Sequence, residues 1–142
     1  MSAGATDAAF AHFVDAQAPV WAQVQAELHA GRKTSHWMWF VFPQHVALGR
    51  STMARRFGLA SLAQAQAYAA HPVLGTRLRQ ATALVLAVQG RSAHAIFGSP
   101  DDLKLRSCMT LFQAAVPDEP LFGQVLARHY GGVPDPATLA LL

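Results

Sequence analysis

Ser99-Pro100-Asp101-Asp102-Leu103-Lys104-Leu105-Arg106-Ser107-Cys108-Met109-Thr110-Leu111-Phe112 reads as a whole helix, start signal and buried face together. Ser99 is a cap residue, Pro100 has the fixed φ that suits a first turn, and Asp101 and Asp102 sit at the positive end of the helix dipole. An acid three residues after Ser99 approximates a capping box. Beyond it, Leu105, Cys108, Met109, Phe112 and Val116 recur at helical spacing. They predict one apolar face that needs neighbours.

The punctuation on either side is helical too. Phe10, Phe13 and Val14 share a face over residues 7–16. Pro19 opens a segment carrying Val20, Trp21, Val24 and Leu28 up to Gly31. Ser61 is placed to cap a short helix that stops before Pro72. Between Pro72 and Gln89, Val73, Leu74, Leu78, Ala81, Leu84, Val85 and Val88 form a stripe that Gly90 ends. After Pro117, Leu121, Phe122, Val125 and Leu126 mark another helix, and Asp135-Pro136 repeats the cap-and-proline signal. Alternating or β-branched runs are scarce, and alanine, leucine, glutamine and arginine dominate. The expectation is an all-α fold: residues 1–142 as a single compact multihelical domain, seven to eight short helices and no sheet.

Composition agrees with a packed core. The 142 residues are 52% apolar and 13% charged, the opposite of a disordered chain. One cysteine, Cys108, excludes an internal disulfide framework and multi-cysteine zinc modules. No apolar run is long enough to cross a bilayer, and Met1-Ser2-Ala3-Gly4-Ala5-Thr6-Asp7 lacks the pattern of a signal peptide. A cytoplasmic protein without a membrane partner is expected.

The net charge of +3 hides an asymmetry. Between Leu28 and Pro100 there is no acid, while Arg32, Lys33, Arg50, Arg55, Arg56, Arg77, Arg79 and Arg91 give that stretch +8. Unless acids from the ends fold back, the middle presents a positive field. That field suits an anionic partner, and it equally suits a surface that only needs to be soluble.

Two polar strings stand outside the helix patterning. In Lys33-Thr34-Ser35-His36-Trp37-Met38-Trp39, two tryptophans two positions apart cannot both face one core. One is expected to pack and the other to line a groove, with His36 beside them as a candidate base or donor. In Asp101-Asp102-Leu103-Lys104-Leu105-Arg106-Ser107, helical spacing puts Asp101, Lys104 and Ser107 on one strip and Asp102 with Arg106 on another. Either the strip is a capped, ion-paired helix start, or it binds a ligand, with an acid for hydroxyls and Lys104 and Ser107 for a phosphate or carboxylate. The chain's only two lysines, Lys33 and Lys104, fall in these two strings among nine arginines. A third string, Gly49-Arg50-Ser51-Thr52-Met53-Ala54-Arg55-Arg56, places glycine and serine before a helix start with arginines nearby, without a complete phosphate-loop or dinucleotide motif. No cofactor is therefore expected. The seven histidines show no metal-ligand spacing, so no metal is expected.

These strings, Ser35-His36-Trp37-Met38-Trp39-Phe40-Val41-Phe42-Pro43-Gln44 and Phe97–Phe112, together with Tyr68-Ala69-Ala70-His71-Pro72-Val73-Leu74-Gly75-Thr76-Arg77-Leu78, resemble the bacterial domain-of-unknown-function family 1810 over nearly the whole chain. The resemblance implies a small multihelical fold and no activity. The calpastatin label that some members carry does not suit a short, apolar, core-forming chain.

The leading functional expectation is a pocket between the two strings that binds an anionic nucleotide-like or phosphorylated small molecule, with its processing as an open option. Its ligand contacts would be Lys33, Ser35, His36, Trp37, Trp39, Gln44, Asp101, Asp102, Lys104 and Ser107, with His36, Asp102 and Lys104 as catalytic candidates. The alternatives are a protein-interaction module anchored by an exposed tryptophan, and a non-specific nucleic-acid binder using the basic middle. The sequence leaves the oligomeric state open.

Overall fold

The computed structural model describes the backbone of residues 3–142 and the side chains of residues 8–142. Met1 and Ser2 of the opening string, and the side chains of residues 3–7, lie outside the described residues. The chain is all-α. Among the described residues, six helices have nine residues or more: α1 (Ala3–Gln17), α2 (Trp21–His29), α5 (Leu62–Ala70), α6 (Leu74–Ala87), α8 (Asp101–Ala115) and α9 (Pro120–His129). Four are single turns: α3 (Met38–Val41), α4 (Thr52–Arg56), α7 (Ala93–Phe97) and α10 (Pro136–Ala140). Among the described residues there is no strand. One isolated parallel bridge joins His45 to Leu59, with Val46 N–H donating to Leu59 O at 2.8 Å.

Helix α8 is the axis of the fold. It packs against α5, α7, α9 and α10. Leu105, Cys108, Met109 and Phe112 are buried as the spacing predicts, but Ser107, Thr110 and Leu111 are buried as well. Between Leu105 and Phe112 only Arg106 is partly exposed, while Leu103 and Gln113 on either side are exposed. Val116, expected at the end of the stripe, is the C-cap and only partly buried. The start also differs from the expectation. Pro100 occupies the N-cap position, no side chain caps the helix there, and Asp102 Oδ1 instead accepts from Leu103 N–H at 2.9 Å.

Other local signals are realised as written. Ser61 Oγ accepts from Gln64 N–H at 3.1 Å, and Ser51 Oγ from Ala54 N–H at 3.1 Å. Asp135 Oδ2 accepts from Thr138 N–H at 3.2 Å, with Pro136 in the first helical position. Pro19 lies in a short 3-10 turn, Ala18–Val20, ahead of α2 rather than within it. The core is one aromatic-rich cluster. Phe10, Phe13, Tyr68, Phe112 and Phe122 pack edge to face or tilted with centroids 5.2–6.2 Å apart. Tyr68 OH is satisfied by Gln17 Nε2 at 3.1 Å, and that amide also donates to Phe40 O at 2.6 Å. Buried Gln17 thereby ties α1 to α3 and α5.

The α5–α6 corner is closed at Gly75. His71 Nδ1 receives the N–H groups of Val73 and Leu74, each at 3.2 Å, and α6 starts in contact with the end of α5. A Cβ added at Gly75 would lie 2.1 Å from Ala69 O. Helix propensity alone favours alanine over glycine by about 1 kcal/mol. Overpacking against backbone opposes it by about 1–3 kcal/mol. Gly75→Ala is thus expected to lower the urea midpoint, and a raised midpoint would show that the corner yields.

Candidate functional site

Helix α2 ends at His29, and Gly31, at φ +72°, turns the chain back toward α7. Lys33 N–H donates to Ile96 O at 2.8 Å and pins the turn. The next four residues wrap one buried carboxylate. Glu27 Oε1 accepts from Thr34 N–H at 2.7 Å, Ser35 N–H at 3.0 Å and Trp37 Nε1–H at 3.0 Å, while Oε2 accepts from Ser35 Oγ–H at 2.6 Å. Burial alone would raise the pKa of Glu27. The bonds from Ser35, Thr34 and Trp37 outweigh it and hold the carboxyl at about 2.

This wrapping decides which tryptophan faces inward. Trp37 is 1% exposed. Trp39, half-buried, faces a narrow cleft floored by Phe42 and Phe57, with Gln44 and Lys104 as its polar residues. The two strings are neighbours. Lys33 Nζ lies 2.9 Å from Asp101 Oδ2, donates to Ser35 O at 2.6 Å and sits 5.1 Å from the Trp37 ring centroid. Lys104 Nζ lies 3.8 Å from Asp101 Oδ1 and 5.6 Å from the Trp39 ring centroid. One carboxylate is shared by two lysines, and the second lysine closes the cleft. The remaining space is about 10 Å³, room for roughly one water.

Five of the ten expected contact residues converge here: Lys33, Trp39, Gln44, Asp101 and Lys104. Ser35 and Trp37 serve Glu27 instead. His36 is exposed and makes no hydrogen bond among the described residues. Asp102 turns toward α7, its Oδ2 3.4 Å from His94 Nδ1. Ser107 leaves the strip altogether, donating to Leu103 O at 3.3 Å and Asp135 Oδ2 at 3.0 Å. Burial pushes the Asp135 pKa up, and bonds from Thr138 and Ser107 bring it below the usual range. Ser107 therefore belongs to the anchor of α10. Arg106 does not pair with Asp102; it donates to Val133 O at 3.0 Å and Pro134 O at 3.1 Å.

Sequence reasoning missed Glu27 and His94. Glu27 did carry a signal, an acid between Val24 and Leu28 on the buried face of α2. His94 carried none, since its partner is eight residues away across a turn. Cys108 is buried, and burial pushes its thiol pKa well up, so it is packing rather than a nucleophile. Among the described residues no group of three His, Cys, Asp or Glu side chains is placed to hold a metal ion, and no helix is long and apolar enough to cross a membrane. Terminal acids do fold back onto the basic middle: besides Lys33–Asp101, Arg79 Nε lies 2.9 Å from Glu119 Oε1.

A family model described as "Protein of unknown function (DUF1810)" matches residues 7–142. The chain is also similar to the crystal structure of the conserved hypothetical protein Rv1873 from Mycobacterium tuberculosis. The two are 56% identical with a TM-score of 0.92, over 94% of this chain and 95% of that one. No curated protein matches.

Because the Glu27 pKa is depressed on folding, its stabilisation is present above about 4.5 and is lost as pH falls toward about 2. The shift corresponds to roughly 3 kcal/mol. Glu27→Gln should therefore destabilise the protein at pH 7 by an amount of that order, and the gap to wild type should narrow at pH 3. Comparing urea midpoints of the two proteins removes the parallel contribution of Asp135. A gap that stays constant with pH would contradict an ionised Glu27.

Proposed function

The chain belongs to the DUF1810 family, and we propose that it binds an anionic, nucleotide-like small molecule where the Lys33–Gln44 segment meets the start of α8. The observation that carries this reading is the setting of Lys104. Its ammonium stands over the half-buried face of Trp39 at the mouth of the cleft, held only by a 3.8 Å approach to Asp101. Such a loose, partly exposed pair contributes about 0–1 kcal/mol. Stacking a planar ring on an aromatic side chain is worth about 1–3 kcal/mol. The exchange favours a ligand whose ring replaces Lys104 over Trp39 while its anionic group takes the displaced ammonium. Gln44 offers an amide to the ring edge, and Asp101, anchored by Lys33, offers an acceptor to a hydroxyl.

The reading is binding first. The three catalytic candidates do not support a common reacting point, since Asp102 is directed to His94 and His36 to solvent. The tryptophan-anchor alternative has less support. Among the described residues Trp37 is buried, and Trp21 and Trp39 are half-buried. The nucleic-acid alternative loses charge to Asp101 and Glu119.

Thermal melting against a panel of nucleosides, nucleoside phosphates and sugar phosphates tests the proposal. A true ligand at about 100 times its Kd adds roughly 2.7 kcal/mol of stability. Lys104→Ala and Trp39→Ala should each weaken binding at least tenfold, with fluorescence of the remaining tryptophans reporting that the fold is intact. If no compound raises the midpoint, or both variants bind as wild type does, the assignment is wrong.

A further inference from the structure

A larger cleft, of about 410 Å³, lies between Val88–Ser92, the chain leaving α6, and the end of α9 at Arg128 and His129. Its volume falls within the range of small-molecule sites, about 300–1,000 Å³. It shares no residue with the Trp39–Lys104 cleft, and no acid lines it. Two guanidiniums are fixed at its walls. Arg91 donates from Nε to Gly31 O and from Nη2 to Ala95 O, each at 2.8 Å. Arg128 donates from Nη1 to Leu86 O. Neither arginine is in an ion pair with a described carboxylate, so most donors of both forks remain unassigned.

The field is positive despite the helix ends. α6 and α9 both terminate here, each bringing about half a negative charge. Two guanidiniums leave roughly one net positive charge. On the same wall, His129 Nε2 is buried without a hydrogen-bond partner among the described residues. Burial and Arg128 both lower the His129 pKa, so the ring is neutral near pH 7 and adds no charge to the cleft.

We propose that this cleft is a separate oxyanion site, taking the phosphate or carboxylate group of a small molecule between Arg91 and Arg128. Pre-positioned forks on backbone carbonyls suit planar, bidentate recognition of such a group.

Amide NMR titrations of the full chain with inorganic phosphate and with acetate test it. Expected are saturable shifts centred on Gly90, Arg91, Ser92 and His129. Arg91→Gln and Arg128→Gln should each weaken them about tenfold, the cost of one charge-assisted hydrogen bond. Preference for either anion supports the site and names its headgroup. Lys104→Ala should leave these shifts unchanged, so this site and the Trp39–Lys104 site succeed or fail apart. Shifts that track Arg50, Arg55 and Arg56 equally would overturn the proposal, as would wild-type affinity in both glutamine variants. The wild-type map decides even if a variant does not fold.

Discussion

A buried carboxylate has to be satisfied or it does not stay ionised. Glu27 sits at 7% exposure, and each of its oxygens has a donor. All four of its hydrogen bonds come from three near-consecutive residues, Thr34, Ser35 and Trp37. Satisfying one charge thus fixes the path of a segment that has little regular structure of its own. With Trp37 drawn inward by its indole N–H, Trp39 is turned to the cleft and Lys33 is aimed at Asp101. The cleft, the shared carboxylate and the position of α8 against the segment all follow from that one commitment. A badly wrapped alternative would leave the charge unpaired, so the bonds that stabilise it also select this path of the chain.

What the sequence made legible was local. Helix periodicity, Ser61 and Asp135 as caps, and Gly31 as a stop are decided within four residues and appear, whereas α6 ends at Ala87, ahead of Gly90. What it hid was set by distant partners. Ser99 has the chemistry of a cap, yet the helix begins a residue later. Ser107 has the spacing of the Asp101–Lys104 strip, yet Asp135, 28 residues on, claims its hydroxyl. The burial of Thr110 follows likewise, its oxygen accepting from Asp135 N–H at 2.8 Å. Periodicity describes one face of a helix, and α8 is covered on several. That burial beyond one face is a property of the neighbours, not of the stripe.

Charge was legible as a sum and not as a field. The acid-free middle reads as +8, but Asp101 and Glu119 return to Lys33 and Arg79 through tertiary contacts. Cancellation of this kind is uneven. It removes charge where the terminal helices pack against the middle and leaves it on the loop between α6 and α7, where Arg91 meets Arg128. A uniform basic surface and two discrete clefts have the same net charge but different chemistry, because field lines concentrate in concave, low-dielectric walls.

The two lysines show how burial separates a structural charge from an available one. Both were singled out by rarity, and rarity could not rank them. Lys33, with its side chain 6% exposed, has a carboxylate at 2.9 Å, a carbonyl at 2.6 Å and an aromatic face. Every route for its ammonium is filled, and moving it would strand Asp101 and open the Glu27 wrap. Lys104, 27% exposed, has one loose carboxylate contact and a ring below it. Removing Lys104 from its resting place breaks little, because Lys33 still satisfies Asp101. A binding group needs that asymmetry. Its partner must be held by something else, so that the group can leave without destabilising the fold. Of the cations facing Asp101, Lys104 alone meets that condition.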